Sequence, residues 1–144
     1  MKNNPRAWWL KLSLLVFVFT PLIATQAEER GGLPTAQSQN GVAYLSGGVG
    51  EGQAAAIKAA AANYSVMLTF ADPGGAYLAD VKVMISDQKG KPVLDTVSTG
   101  PMLLVDLPPG QYRLNAEYKG NTQSQALSVK SKTTPTRLTL RWPA

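Results

Sequence analysis

The sequence predicts an all-β protein, an antiparallel seven-stranded β-sandwich preceded by one short alanine-rich helix. From residue 64 onward, apolar and polar residues alternate with a period of two, which is typical of strands with one buried face. Turn sequences that contain glycine and proline separate these runs, and no long helical pattern interrupts them. About seven short strands at this spacing favour two packed antiparallel sheets.

Seven segments carry the strand pattern. The clearest four are YSVMLTF (64–70), DVKVMIS (80–86), QYRLNAEY (111–118) and TRLTLRW (136–142), and the weaker three are PVLDTV (92–97), MLLVDL (102–107) and TQSQALSV (122–129). The sequences between them that predict turns are DPGG (72–75), DQKGK (87–91), PPG (108–110) and KGN (119–121). The last of these joins two alternating runs and predicts a hairpin.

Residues 1–27 are predicted to be a secretory signal peptide. Three cationic residues come first, an apolar run from Leu12 to Ile23 follows, and small residues precede the expected cleavage site between Ala27 and Glu28. The alternative is a retained membrane anchor, but Lys11 and Pro21 bound a run shorter than the roughly 20 apolar residues of a spanning helix. The chain has no cysteine to carry a lipid. We therefore expect a periplasmic or secreted protein without a stable membrane span.

The net charge of +5 belongs mainly to this leader. Lys2, Arg6 and Lys11 are three of the fourteen Lys and Arg residues, so eleven remain after cleavage against nine Asp and Glu, a balance of about +2. These eleven are scattered singly, whereas nucleic-acid-binding proteins cluster their cations on one face. No nucleic-acid partner is predicted.

The chain after the leader is long enough for one domain, and without cysteine its stability must come from a hydrophobic core. Residues 28–40, EERGGLPTAQSQN, are polar and predicted to be a flexible N-terminal tail. Residues 41–63 are predicted to form a glycine-rich loop and a helix, and residues 64–144 the β-sandwich.

The run ADVKVMISDQKGKPVLDTVSTGPMLLVDLPPGQYRLNAEYKG (79–120) resembles the carboxypeptidase regulatory-like domain, a transthyretin-like or prealbumin-like sandwich related in shape to the immunoglobulin fold. The shared order is a strand ending in a D-x-x-G turn, two further strands, the step LPPGQYRL and a YKG hairpin. The resemblance extends over 64–142. The upstream AYLSGGVGEGQ and the closing LTLRWP are similar to exported proteobacterial proteins of uncharacterised function that carry this domain name. The resemblance implies a fold and a compartment but no reaction, because such domains are usually non-catalytic modules.

The step LPPGQY is predicted to form a structural corner. Leu107 is expected to end a strand in the core, and Pro109 and Gly110 after Pro108 suit a type II turn with glycine in the left-handed position. Tyr112 is then expected to enter the core with its hydroxyl on a backbone acceptor, as in a tyrosine corner. The alternative role for this tyrosine is to stack on a ligand.

The segment GVAYLSGGVGEGQ has the composition of a phosphate-binding loop but not its pattern. Gly47 and Gly52 have the spacing of G-x-x-x-x-G-K-[ST], yet Gln53 and Ala54 stand where lysine and a hydroxyl residue are required. The dinucleotide fingerprint also fails, because its third glycine and a following βαβ unit are missing. We therefore predict a structural loop before a helix that runs from Glu51 to about Asn63.

This helix is mostly alanine, the best helix former, and Ile57, Ala61 and Tyr64 would form its docking stripe. The alternative for the preceding loop is recognition, since exposed loops on rigid scaffolds often bind partners. The residues of this candidate recognition loop are Tyr44, Gly47, Gly48, Gly50 and Glu51.

Catalytic residues are not predicted. The chain has no histidine and no cysteine, which excludes a Ser-His-Asp triad, a Cys-His pair and any zinc site that uses histidine. The aspartates fall mostly at turns and strand ends, where they bond the local backbone, and no calcium-loop pattern is present. We expect a non-enzyme with no cofactor and no metal.

Three functions are compatible with the sequence. The favoured one is a non-catalytic exported module that mediates protein interaction in the cell envelope, through sheet edges or the glycine-rich loop. The partner and the oligomeric state stay open. The alternative is a carbohydrate- or small-ligand-binding module, for which Tyr44, Tyr77 and Trp142 are the candidate aromatics. The third is an enzyme that uses serine, lysine or aspartate.

Overall fold

The structure is a computed structural model that describes residues 32–143. The predicted signal peptide (1–27), its cleavage site at Ala27 and Glu28, and the start of the predicted tail lie outside these residues. Within 32–143, no helix is long and apolar enough to cross a membrane.

Nine strands and one helix make up the described part of the chain. In order they are β1 (Gln37–Gln39), β2 (Val42–Gly47), α1 (Glu51–Ala60) with a 3-10 turn (Ala61–Asn63), β3 (Val66–Ala71), β4 (Lys82–Asp87), β5 (Pro92–Val97), β6 (Met102–Asp106), β7 (Gly110–Tyr118), β8 (Asn121–Val129) and β9 (Thr136–Arg141). The seven predicted strands correspond to β3 through β9. The all-β sandwich and its single short helix are confirmed, and the strand count is nine rather than seven.

Two sheets form the sandwich. The first has the order β1-β2-β6-β3-β9 and the second has the order β5-β4-β7-β8. All neighbouring strands are antiparallel except β3 and β9, which run parallel with Leu68 opposite Leu138. The sheets therefore end in four edges, which are β1 and β9 in the first and β5 and β8 in the second.

The two strands that the sequence did not predict are β1 and β2. β1 lies in the predicted tail and contains no apolar residue. β2 lacks a clean alternation because both of its faces are buried: Tyr44 faces the core between the sheets, and Leu45 faces the helix. Asn40 and Gly41 join the two strands with φ of 52° and 76°. Asn-Gly is a strong signal for a two-residue hairpin, so this dipeptide could have revealed both strands.

The hydrophobic core has two parts. The larger lies between the sheets and includes Val66, Leu68 and Phe70 of β3. The smaller lies between the first sheet and α1, and its buried members are Leu45, Ile57, Ala61, Met67, Met102 and Leu104. The predicted docking stripe of the helix is thus confirmed, with Tyr64 packed at its edge.

Ser65, which directly precedes β3, is a polar residue in the protein interior. It is fully buried and lies against the end of β6. Its Oγ accepts the N–H of Leu107 at 2.7 Å and donates to the Leu107 carbonyl at 2.9 Å. A single hydroxyl therefore satisfies backbone groups where β6 ends.

Candidate interaction site

The glycine-rich loop closes on itself. Gln53 Oε1 accepts the N–H of Gly48 at 2.8 Å and the N–H of Val49 at 3.3 Å. Gly48 and Gly50 have φ of 99° and 84°, a region that favours glycine. Two N–H groups of the loop are therefore already bonded within it, and Gln53 fixes the base of the loop.

Gly47 is part of β2 rather than of the loop, and it has a close backbone neighbour. A Cβ atom on Gly100 would lie 2.3 Å from the Gly47 carbonyl oxygen. Beside this contact, Ser46 Oγ accepts the N–H of Thr99 at 2.9 Å. The glycines here allow the segment before β6 to pack on β2.

Tyr44 does not belong to an exposed recognition surface. Its side chain is 8% exposed, lies in the core between the sheets, and donates from its hydroxyl to Gln37 Oε1 at 2.8 Å. Of the five predicted loop residues, Gly48, Gly50 and Glu51 line a surface cleft of about 390 Å³.

The three candidate ligand-binding aromatics separate in the structure. Trp142 is 1% exposed, packs between Phe70 and Tyr118 with ring centroids about 6 Å away, and donates from Nε1 to a backbone carbonyl. Tyr77, in contrast, is 55% exposed. It borders the cleft beside α1, where Ala54 also contributes apolar surface.

The corner at LPPGQY has the hydrogen bond of a tyrosine corner. Leu107 is fully buried, and the hydroxyl of Tyr112, a half-buried side chain, donates to the carbonyl of Pro108 at 2.7 Å. Burial, followed by the nearby negative charge of Asp87, raises the pKa of Tyr112 above 10.0. Gly110 keeps a positive φ of 159°, but this value lies far from the roughly +80° of a type II turn, so the predicted turn type is wrong. It already belongs to β7, whose pairing with β8 sets its conformation.

Three of the four sheet edges are short, covered or charged. The side chain of Gln39 forms two hydrogen bonds with the backbone of Asp95 in β5, and Asn40 donates to the carbonyl of Val93. β1 is three residues long. β9 carries exposed Arg137 and Arg141, and charged side chains are a common protection against unwanted strand pairing.

In the part of the chain that the structure describes, the edge of β8 has none of these protections between Thr122 and Ala126. β8 is nine residues long, NTQSQALSV, with no charged residue and no proline. It pairs on one side with β7 through a two-residue turn in which Lys119 and Gly120 both have positive φ. The uncharged composition of this segment was visible in the sequence, but its position at an edge was not.

The hydrogen-bonding direction of β8 follows from that turn. Tyr118 and Asn121 close a two-residue hairpin, so they form a hydrogen-bonded pair, and such pairs alternate along an antiparallel ladder. The backbone groups of Thr122, Ser124 and Ala126 therefore point away from β7. The next outward carbonyl, that of Ser128, accepts the hydroxyl of Thr136, as this direction requires. Among residues 32–143, none bonds the outward backbone groups of Thr122, Ser124 or Ala126, so three consecutive positions of this edge are open.

The face of the second sheet that points away from the first carries polar groups beside this edge. Arg113, Asn115 and Glu117 of β7 lie directly opposite Ala126, Ser124 and Thr122 of β8, respectively. Ser124 Oγ donates to Asn115 Oδ1 at 2.5 Å. Two shallow clefts flank this pair, one of about 420 Å³ beside Arg113 and one of about 470 Å³ beside Glu117.

The acidic residues are dispersed rather than gathered. Asp72 Oδ1 accepts the N–H of Ala76, and Asp87 Oδ1 accepts two N–H groups of its own turn. Over residues 32–143, no three His, Cys, Asp or Glu side chains lie close enough to hold a metal ion together. The carboxylates at these turns have a local role in fixing the backbone.

Comparison with known proteins assigns no family. No family model matches the sequence, and no curated protein shows significant similarity to it. The resemblance to carboxypeptidase regulatory-like domains therefore stays a prediction from the sequence.

Proposed function

We propose that this chain is an exported, non-catalytic β-sandwich module that mediates protein interaction in the cell envelope, and that its partner adds a strand to β8. The observation that supports this proposal most is the open edge at Thr122, Ser124 and Ala126. Export and the likeness to regulatory-like domains are predicted from the sequence alone. They agree with a module that acts through its surface.

Strand addition suits this edge energetically. Each of the three outward residues offers one N–H and one carbonyl, so an antiparallel partner strand gains up to six backbone hydrogen bonds. A typical intramolecular hydrogen bond contributes about 1 kcal/mol net. An extended segment that adds to a sheet edge gains its affinity from these bonds and its specificity from alternate side-chain positions. The clefts beside Arg113 and Glu117 provide such positions.

A photo-crosslinking experiment in intact cells tests this function. The full chain is expressed with a photoreactive residue at Ser124 on the open edge, or at Lys91 as a matched control. Lys91 is exposed in the β4–β5 turn and borders neither of the two clefts. We expect a discrete protein adduct from Ser124 and none from Lys91. Equal adducts from both positions, or none from either, would contradict a role for this edge.

Ser124→Pro provides a second test that preserves the fold. Because the N–H of Ser124 points away from β7, proline removes a donor from the edge without breaking the β7–β8 ladder. With the photoreactive residue moved to Ala126, we expect this variant to lose the adduct while its circular dichroism stays unchanged. Retention of the adduct would show that binding does not use the β8 backbone.

A small-ligand-binding module is the second candidate, and the cleft beside α1 favours it. There the exposed ring of Tyr77 borders about 390 Å³ of space next to Ala54 and Lys58. Thermal shift against a panel of glycans and metabolites tests this function, with Tyr77→Ala as the control variant. A ligand that stabilises the parent chain but not the variant would support it, and uniformly flat responses would remove it.

A further inference from the structure

We infer that the partner strand on the β8 edge is β8 of a second copy of this chain, paired antiparallel about a two-fold axis with Ser124 opposite Ser124. This inference rests on the proposed use of the β8 edge and names its occupant. A two-fold axis perpendicular to the sheet makes two identical edges antiparallel, so the interface is self-complementary. The result is one continuous eight-stranded sheet.

The register follows from the outward backbone groups. With Ser124 opposite its own copy, Thr122 of each chain lies opposite Ala126 of the other. All three outward residues then form hydrogen-bonded pairs, which gives six N–H···O bonds. A shift by two residues in either direction would place one outward residue of each chain opposite Gly120 or Ser128 of the other chain. Gly120 lies in the turn, and the carbonyl of Ser128 already accepts a hydroxyl. The central register therefore pairs the largest number of free backbone N–H and carbonyl groups.

The side chains next to this pairing are small and uncharged. Thr122, Ser124 and Ala126 are all exposed on the face of the second sheet that points away from the first. Directly opposite residues on neighbouring strands interact, and like charges there are destabilising. The proposed pairing places no charged residue within the paired segment. Lys119 and Lys130 approach each other only at its ends, where both are exposed to solvent and salt screens their repulsion.

Charges in the next strands are complementary across the two-fold axis. Arg113 lies opposite Ala126, and Glu117 lies opposite Thr122. The pairing therefore puts Arg113 of one copy in the same cross-strand row as Glu117 of the other. Three strand spacings of about 4.8 Å separate their Cα atoms, and only small side chains stand between them. Both side chains are long enough to lean toward each other over these small residues, and the two-fold axis provides this attraction twice.

A single introduced thiol tests the register, because the chain has no cysteine of its own. In a hydrogen-bonded antiparallel pair the Cα atoms lie about 5.5 Å apart, which is within the range that a disulfide spans. Ser124→Cys, in the processed chain purified after export, should therefore form a covalent dimer under mild oxidation. Thr122→Cys is the matched control. In the proposed dimer the Cα atoms of the two copies of residue 122 lie about 14 Å apart along the paired strands. This variant should therefore stay monomeric on a denaturing gel.

Sedimentation velocity on the unoxidised chains tests association itself. We expect a concentration-dependent dimer for the parent chain and a monomer for Ser124→Pro. Arg113→Glu and Glu117→Arg should each weaken the dimer several-fold, and the double variant should recover most of that loss. Recovery in the double variant would indicate that the two charges interact across the interface. A structural effect of either single substitution would not be reversed by the other.

The outcomes separate this inference from the proposed function. A parent chain that stays monomeric at all concentrations, while Ser124 still crosslinks to a different protein in the envelope, overturns the second-copy partner and leaves the edge function standing. A monomer without any β8-dependent adduct overturns both. Equal disulfide formation by Ser124→Cys and Thr122→Cys overturns the register.

Discussion

The side-chain amide of Gln39 forms two hydrogen bonds with the backbone of Asp95: its Nε2 donates to the carbonyl at 3.1 Å, and its Oε1 accepts the N–H at 2.6 Å. Gln39 belongs to β1 of the first sheet, and Asp95 belongs to edge strand β5 of the second. The amide thus occupies backbone groups that an added strand would use, and it ties the two sheets together. This contact closes one edge of the second sheet and leaves β8 as the open one.

Gln39→Ala should therefore lower the free energy of unfolding by about 1–2 kcal/mol, since two exposed hydrogen bonds are lost. Gln39→Glu should lose less, because a carboxylate still accepts the N–H of Asp95 although it cannot donate to the carbonyl. Urea denaturation followed by circular dichroism measures both. Ser38→Ala, an exposed substitution in the same strand, is the control and should change little. An unchanged midpoint for Gln39→Ala would mean that the two sheets are held together without this contact.

Gln53→Ala should destabilise the loop before α1 by about 1–2 kcal/mol, because the N–H groups of Gly48 and Val49 lose their shared acceptor. Gln53→Glu should restore most of this stability, since a carboxylate accepts both bonds and also lies favourably at the first turn of the helix. Thermal unfolding of the parent chain and the two variants gives their order of stability. If the alanine and glutamate variants lost stability equally, the acceptor role of Gln53 would be wrong.

Ser65→Ala should cost about 1–3 kcal/mol, because it leaves the buried N–H of Leu107 without a partner. Thr139→Ala, which removes a hydroxyl from an exposed position in β9, is the matched control and should stay within about 0.5 kcal/mol of the parent. Guanidinium titrations measure both. Similar small losses in the two variants would contradict a structural role for the Ser65 hydroxyl.

Stability at alkaline pH should report on Tyr112. Burial, followed by the charge of Asp87, raises its pKa in the folded chain, while the unfolded chain ionises near 10.0. The contribution of Tyr112 is therefore complete below pH 10 and is lost as pH rises through the higher folded value. Burial, with a smaller effect of Asp106, raises the pKa of Tyr64 in the same direction.

Tyr112→Phe isolates this contribution. At neutral pH the variant should be less stable by about 1 kcal/mol, because the hydrogen bond to the carbonyl of Pro108 is gone. Above pH 10 the difference in free energy of unfolding between the parent and the variant should narrow. Only the parent has an ionisable hydroxyl at this position, so only the parent loses stability through its ionisation. Unfolding curves at pH 7, 9, 10 and 11 test this. A gap that stays constant over that range would contradict the raised pKa.

Sequence periodicity predicted those parts of the fold in which one strand face meets the core and the other meets water. Leu114 and Ala116 of β7 alternate with polar residues in this way, and the strand was predicted almost to its ends. β2 was missed because Tyr44 and Leu45 are buried on opposite faces, which removes the period of two. The parallel pairing of β3 with β9 depends on contacts far apart in sequence, so no local pattern reports it.

The sequence predicted the local features of the β8 edge but not the position of this strand in the sheet. The sequence shows that NTQSQALSV is uncharged and that Asn40 and Gly41 favour a tight turn. It does not show that Gln39 covers β5, since that contact joins residues 56 positions apart. Which strand edges are covered depends on contacts between the assembled sheets, so the open edge of β8 could not be recognised from the sequence.

Amide hydrogen exchange along β8 measures whether this edge is open. In the dilute, monomeric chain the N–H groups of Ser124 and Ala126 point away from β7, so they should exchange close to the rate of an unstructured peptide. Those of Gln123 and Gln125 bond β7 and should exchange slowly. This alternation of fast and slow amides is the predicted result. Slow exchange at Ser124 in the monomer would mean that the edge is already covered, and it would rule out strand addition at β8.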